Sequence, residues 1–270
     1  MLLRLGILIF FVAFAGNVNA DTEEEKERHD RDRHVLTLTE LMSTKPNPDV
    51  NKNGIGIFVY NGINSMDALG PLQVFKTAGL KAFLVAKQKG EITANNGLKF
   101  QVDKSIDEVT QLDILLVPGG AMETAMETMD PVTLGWIRQI DQNTIYTTSV
   151  CTGAWILGAT GLLEGKKATT NWYRAKEILG KYGAEFKQER YVIDGKYITS
   201  AGVTAGLDMS LKIVNMLYGK DYTQAVMLDL EYDPQPPIKG GSVKNTSKDV
   251  FSVMREMYDY FLLGFVNSIP

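Results

Sequence analysis

The chain has a single cysteine, Cys151, and it stands where the apolar run Ile145-Tyr146-Thr147-Thr148-Ser149-Val150 gives way to Thr152-Gly153-Ala154-Trp155. A strand that turns abruptly into a helix projects the turning side chain from the carboxyl end of a sheet. There the free N–H groups of the new helix stabilise a thiolate or a developing oxyanion. Read in this way, Cys151 is an exposed nucleophile of depressed pKa that small electrophiles and oxidants can reach. A lone thiol can equally be a buried structural side chain. Cysteine nucleophiles usually take a histidine base, yet the only two histidines, His29 and His34, sit in a charged stretch near the beginning of the chain. A Cys-His hydrolase is thereby excluded, a carboxylate is left as proton carrier, and no Cys/His cluster of the kind a zinc site needs is present.

The carboxylate best placed is Asp67, because the end of a first strand and the start of its helix share the carboxyl edge of a doubly wound sheet with the elbow. An Asp before Ala68-Leu69-Gly70-Pro71 could also be a plain helix cap. Pro118-Gly119-Gly120 closes another strand at the same edge. Its glycines could turn N–H groups toward a bound oxygen as an oxyanion hole, or simply supply a loop that needs positive φ. Gly54-Ile55-Gly56 precedes its strand rather than following it, so a dinucleotide fingerprint is not supported.

The elements that would hold these residues alternate. Ile55–Tyr60 reads as a buried strand, Asp67–Phe75 as a helix and Ala82–Ala86 as a strand. Asn96-Gly97 turns a hairpin, Leu112–Val117 is a third buried strand, and Asp130-Pro131 caps a helix carrying Val132, Trp136, Ile137 and Ile140 on one face. Beyond Cys151 the pattern predicts a helix to about Gly161, a short strand over Lys167–Thr170, a helix near Tyr173–Leu179, a hairpin turned at Asp194-Gly195, and a helix carrying Leu207, Leu211, Val214 and Tyr218. Apolar strands alternating with helices predict an α/β fold: a doubly wound, mostly parallel sheet with helices on both faces.

Met1–Ala20 places Arg4 before the apolar run Leu5–Ala15 and ends in Val18-Asn19-Ala20, the pattern of a cleavable export signal. The expectation is a periplasmic or secreted protein with no stable membrane insertion after cleavage. Residues 21–53 read as a charged flexible lead-in, 54–240 as the folded domain, and 241–270 as an amphipathic C-terminal helix. That helix sets Val250, Met254, Tyr258 and Phe261-Leu262 on one face, either to close the domain's own core or to dock a partner. The formal charge of −4 offers no basic field for nucleic acid, which is not expected as a partner.

Five ordered motifs carry a resemblance. Met66–Phe75, Val117-Pro118-Gly119-Gly120, Ser149-Val150-Cys151-Thr152-Gly153-Ala154, Ser200–Asp208 and Glu231-Tyr232-Asp233-Pro234-Gln235-Pro236-Pro237 resemble the DJ-1/PfpI superfamily, which is class I glutamine amidotransferase-like. The likeness is strongest to its isonitrile-hydratase-like branch. The resemblance implies a flavodoxin-like sandwich, a homodimer, and no metal or organic cofactor. It places the functional acid, cysteine and threonine on Asp67, Cys151 and Thr152, with Gly119, Gly120 and Asn171 as oxyanion or substrate-binding candidates. Proteases of the superfamily carry histidine after the cysteine, where this chain has Thr152, so proteolysis is disfavoured. Relatives commonly have histidine before Trp172 as well. Asn171 in that place can orient a group but cannot exchange protons near neutral pH. The implied activity is a lyase of hydratase type acting on a small electrophilic substrate. The alternatives are a glyoxalase- or deglycase-like enzyme, or an exported redox-sensing or binding protein without turnover.

Overall fold

The computed structural model describes residues 36–270; the expected signal peptide, His29, His34 and much of the charged lead-in lie outside the described residues. The chain divides into two units, Met1–Ser43 and Thr44–Pro270. The described part of the first holds one short helix, α1 (Leu38–Ser43). It opens on a reciprocal pair in which Glu40 N–H donates to Thr37 Oγ1 and Thr37 N–H donates to Glu40 Oε2. The second unit begins at Thr44 rather than at Gly54. Val50 is fully buried and Asn47 N–H donates to Leu217 O at 2.8 Å, so a polar stretch that reads as lead-in packs as part of the domain.

In chain order the second unit runs β1 (Ile55–Phe58), α2 (Ser65–Thr77), β2 (Ala82–Ala86), the hairpin β3 (Gly90–Thr93) and β4 (Lys99–Val102), then β5 (Lys104–Ser105) and β6 (Ile114–Val117). It continues with α3 (Met122–Glu127), α4 (Pro131–Asp141), β7 (Tyr146–Val150), α5 (Gly153–Ala159), β8 (Lys167–Ala168), α6 (Ala175–Lys181) and β9 (Glu185–Phe186). The hairpin β10 (Tyr191–Asp194) and β11 (Tyr197–Ser200) follows, then α7 (Ala205–Tyr218), α8 (Lys220–Asp229) and α9 (Lys248–Ser268).

Seven strands form one sheet in the order β10-β11-β7-β6-β1-β2-β5, parallel except for the β10–β11 pair. Every residue of β1, β2 and β6 is buried. Because neighbouring side chains point to opposite faces, helices must cover both. α2 packs with α7 and α8, while α5 packs with α3, α4 and α6. β1 lies between β2 and β6, so its two crossovers leave in opposite directions. This makes the carboxyl ends of β1 and β6 a topological switch point, the crevice where such sheets bind ligands.

Two faces differ from the pattern read in the sequence. Val132 is 54% exposed, and Thr133 takes the inward place in α4, with its hydroxyl bonded to Glu127. In α9 the inward stripe is Tyr258, Leu262, Phe265 and Val266, continued by Ile269 just past its end, while Val250 and Phe261 stay in solvent. The stripe follows the position of Trp155 and Tyr173, the aromatic ground on which α9 settles. Among the described residues no helix is long and apolar enough to cross a membrane.

Candidate functional site

Cys151 follows β7 directly at φ 59°, a left-handed backbone that costs a non-glycine residue on the order of 1–3 kcal/mol. Neighbouring backbone holds it there: Cys151 N–H donates to Ser200 O (3.1 Å) and Ala201 O (3.2 Å), and Cys151 O accepts from Thr170 Oγ1 at 2.8 Å. The next helix starts at Gly153, where a Cβ would lie 2.0 Å from Val117 O. Only glycine therefore lets the elbow helix come this close to the end of β6.

Asp67 arrives from the far side of the switch point. The cap of α2 is Asn64, whose side chain accepts from Met66 N–H. Asp67 is thus free of the capping role that its sequence position allowed. Its carboxyl is fully buried; Oδ2 accepts from Gly119 N–H at 3.2 Å, and Oδ1 has no hydrogen-bond partner. The carboxyl lies beside the Cys151 thiol, and burial raises its pKa from 3.8 to about 7 against the lowering pull of Gly119 and the thiol. At neutral pH it therefore exists in both protonation states, as a group that must take and return a proton requires.

The thiol is not the exposed, acidic group that the elbow pattern predicts. Cys151 is only 5% exposed, and its pKa is pushed up, first by burial and then by the Asp67 charge. Thr152 N–H and the Asn171 amide pull it the other way without prevailing. A short helix start does not outweigh the loss of solvent around a sulfur anion that also faces a carboxylate.

The expected oxyanion donors are engaged inside the site. Gly119 N–H holds Asp67, and Gly120 N–H donates to Thr152 Oγ1 at 3.1 Å. Thr152 Oγ1 also contacts Gly120 O (3.1 Å) and Thr124 Oγ1 (3.1 Å), Thr124 Oγ1 contacts Tyr60 OH (2.9 Å), and Tyr60 OH contacts Pro118 O (3.1 Å). Three hydroxyl protons serve four contacts. In any arrangement that makes three of them, the Thr152 proton stays within the loop. Thr152 therefore ties the elbow to the Gly119-Gly120 turn. Asn171, also buried, donates from Nδ2 to Cys151 Sγ at 3.5 Å, while its Oδ1 accepts from Tyr173 N–H at 2.9 Å. That second bond fixes which end of the amide faces the sulfur.

The site thus gathers Asp67 from the first turn of α2 and Gly119, Gly120, Cys151, Thr152 and Asn171 from three loops. It adds Tyr60, Thr124 and Tyr173, which carry no local signal in the sequence because their partners are distant along the chain. A cleft of about 520 Å³ opens nearby at the carboxyl ends of β1 and β2 but shares only Tyr60 with these residues. Its cations are paired, Lys87 with Glu127 and Asp130, and Lys89 with Glu108.

Residues 54–216 match the model of the DJ-1/PfpI family, a stretch that begins just before β1 and ends within α7. The chain belongs to the DJ-1/PfpI family. It is 38% identical to an isonitrile hydratase of Pseudomonas putida over 190 residues, covering 70% of this chain and 82% of that protein. A deglycase of Thermococcus kodakarensis is 26% identical over 142 residues, 52% of this chain and 84% of that one. Among solved structures, a ThiJ/PfpI family protein from Pseudomonas syringae superposes with a TM-score of 0.78 at 32% identity, over 89% of this chain and 98% of its own. The DJ-1/PfpI flavodoxin-like α/β fold is thereby shown. α8 and α9 lie beyond the stretch matched to the family.

Proposed function

We propose that this protein is a cysteine-dependent hydratase that adds water to the terminal carbon of a small isonitrile. The observation that carries the reading is the Asp67–Cys151 pair: a buried carboxyl with one oxygen held by Gly119 N–H and the other unpartnered, beside the only thiol and with no histidine among the described residues. The identity to an isonitrile hydratase supports the substrate class. In this reading the Asp67 carboxylate takes the thiol proton as Sγ bonds to the isonitrile carbon. The carbon's lone pair then receives that proton from Asp67, giving a thioimidate, R–N=CH–S–Cys151. Water adds to the same carbon with Asp67 as base, and one proton passes to nitrogen. The carbon–sulfur bond breaks, the sulfur recovers its proton, and an N-substituted formamide leaves. Nothing is oxidised or reduced. The Asn171 amide supports negative charge on sulfur in both the attacking and the leaving step.

We also propose export with cleavage after Ala20, and a homodimeric state. The first rests on the signal-like Met1–Ala20 and the second on the family resemblance. The deciding experiment is a kinetic screen of the protein and its Cys151→Ala variant against isonitriles and 2-oxoaldehydes. Formamide production that needs Cys151 is the expected result. Hydroxy acid formed from 2-oxoaldehydes alone would move the protein to a glyoxalase-type activity, and turnover of neither would favour a binding or sensing role.

A further inference from the structure

The C-terminal helix α9 lies outside the stretch matched to the family, yet it reaches the thiol through three residues. Asp259, midway along α9, accepts from Tyr173 OH (2.8 Å) and Arg174 Nε (2.7 Å) on Oδ1, and from Arg174 Nη2 (3.1 Å) on Oδ2. Arg174 sits at φ 44° and ψ 31°, a left-handed conformation that an arginine adopts only when its surroundings hold it. Trp172 is flanked by Phe251 (ring centroids 5.8 Å apart) and Tyr258 (5.0 Å), and Tyr173 meets Tyr258 at 5.2 Å. The segment Trp172-Tyr173-Arg174 is thus pinned at each residue by α9. One residue earlier is Asn171, whose Oδ1 is held by Tyr173 N–H and whose Nδ2 donates to Cys151 Sγ.

We propose that Asp259 is a positioning residue for the reactive thiol and that α9 is thereby part of the active site. Asp259 fixes the side chains of Tyr173 and Arg174, the Tyr173 backbone N–H fixes the Asn171 amide, and the amide sets how readily the sulfur carries negative charge. The inference rests on Cys151 being the reacting group and is independent of the substrate. The charged and titratable groups that bear on the thiol are Asp67 from α2, Tyr60 beyond β1 and Tyr258 from α9. Those that face Asp259 are Tyr173, Arg174 and Arg255, with Glu177 on the outer side of Arg174.

The test measures alkylation of Cys151, the only thiol, by iodoacetamide from pH 6 to 11 in the full-length protein, with the melting temperature taken alongside. Asn171→Ala removes one hydrogen bond to the sulfur anion, and the alkylation rate across this range should fall about fivefold. Asp259→Ala should slow it in the same way, about three- to fivefold. The double variant should lose no more than Asn171→Ala alone, because both act through one amide. If Asp259→Ala lowers the melting temperature but alkylates like the wild type, or if the two losses multiply, α9 is a structural cover only and the proposal fails. Should Asp259→Ala not fold, Asp259→Asn, which keeps the size and loses the charge, decides on the same criteria. A wild-type thiol that never reacts would instead overturn the reading of Cys151 as the reacting group.

Discussion

Asp67→Asn separates the electrostatics of the site from its architecture. Asparagine keeps an oxygen to accept from Gly119 N–H and fills the same space, but it cannot ionise. In the wild type the folded carboxyl has a pKa of about 7, against 3.8 when unfolded, so between these values the folded state binds the proton that the unfolded state has released. Stability therefore falls as pH rises through that window and levels off above pH 7. At about 1.4 kcal/mol per pH unit, the difference between 3.8 and about 7 amounts to about 4 kcal/mol lost from the wild type and retained by the variant. Urea denaturation at intervals from pH 4 to pH 8.5 should show the stabilities of the two proteins diverging with pH, the variant being more stable at the alkaline end. With the negative charge gone, Cys151 should also alkylate faster near neutral pH, while turnover, which needs a group that gives and takes a proton, is abolished. Stability curves that stay parallel across the window would show that the buried carboxyl is not raised, and the assignment of Asp67 as proton carrier at neutral pH would go with it.

Thr124→Val removes the middle hydroxyl between Tyr60 and Thr152 without changing size; it should cost about 1–2 kcal/mol in urea denaturation and slow turnover by loosening the elbow from the Gly119-Gly120 turn. Asn171→His introduces a group titrating near 6.5 next to the sulfur, and the pH profile of Cys151 alkylation should gain an inflection in that range that the wild type lacks. Mild peroxide should oxidise the buried, protonated Cys151 slowly, and faster in Asp67→Asn, as read by the added oxygen in mass spectra. Fractionation with N-terminal sequencing should recover a soluble protein beginning at Asp21; recovery only of membrane-bound chain retaining Met1 would refute cleavage.

The buried strands β1, β2, β6 and β7, the elbow and the gathering of Asp67, Gly119 and Cys151 at one edge were legible because each is written locally, as an apolar run followed by a turn. The sheet does the rest: once β1, β6 and β7 are adjacent and parallel, their carboxyl-end residues must meet. What local pattern does not carry is the use made of each polar atom. Gly119 and Gly120 read as free donors, but whether a loop N–H is free depends on side chains from elsewhere, here Asp67 and Thr152. The thiol reads as acidic because a helix start follows it. Its actual state is set by burial and a carboxylate from a helix more than eighty residues earlier in the sequence.

The same two causes bear on how a lone thiol survives in an oxidising compartment, if the chain is exported as proposed. The sulfur reacts as its anion, whether with peroxide or with substrate. A sensor keeps that anion standing and exposed; this site keeps the sulfur covered and its pKa raised, and in the proposed mechanism frees it only when Asp67 accepts the proton. For an isonitrile the accepted proton has an onward destination, the carbon that the sulfur attacks, so deprotonation and bond formation draw each other forward. In that mechanism the site is poorly suited to sense oxidant and well suited to turn over a small neutral electrophile. A histidine in place of Asn171 would weaken that division by adding a second group that titrates near neutral pH beside the sulfur.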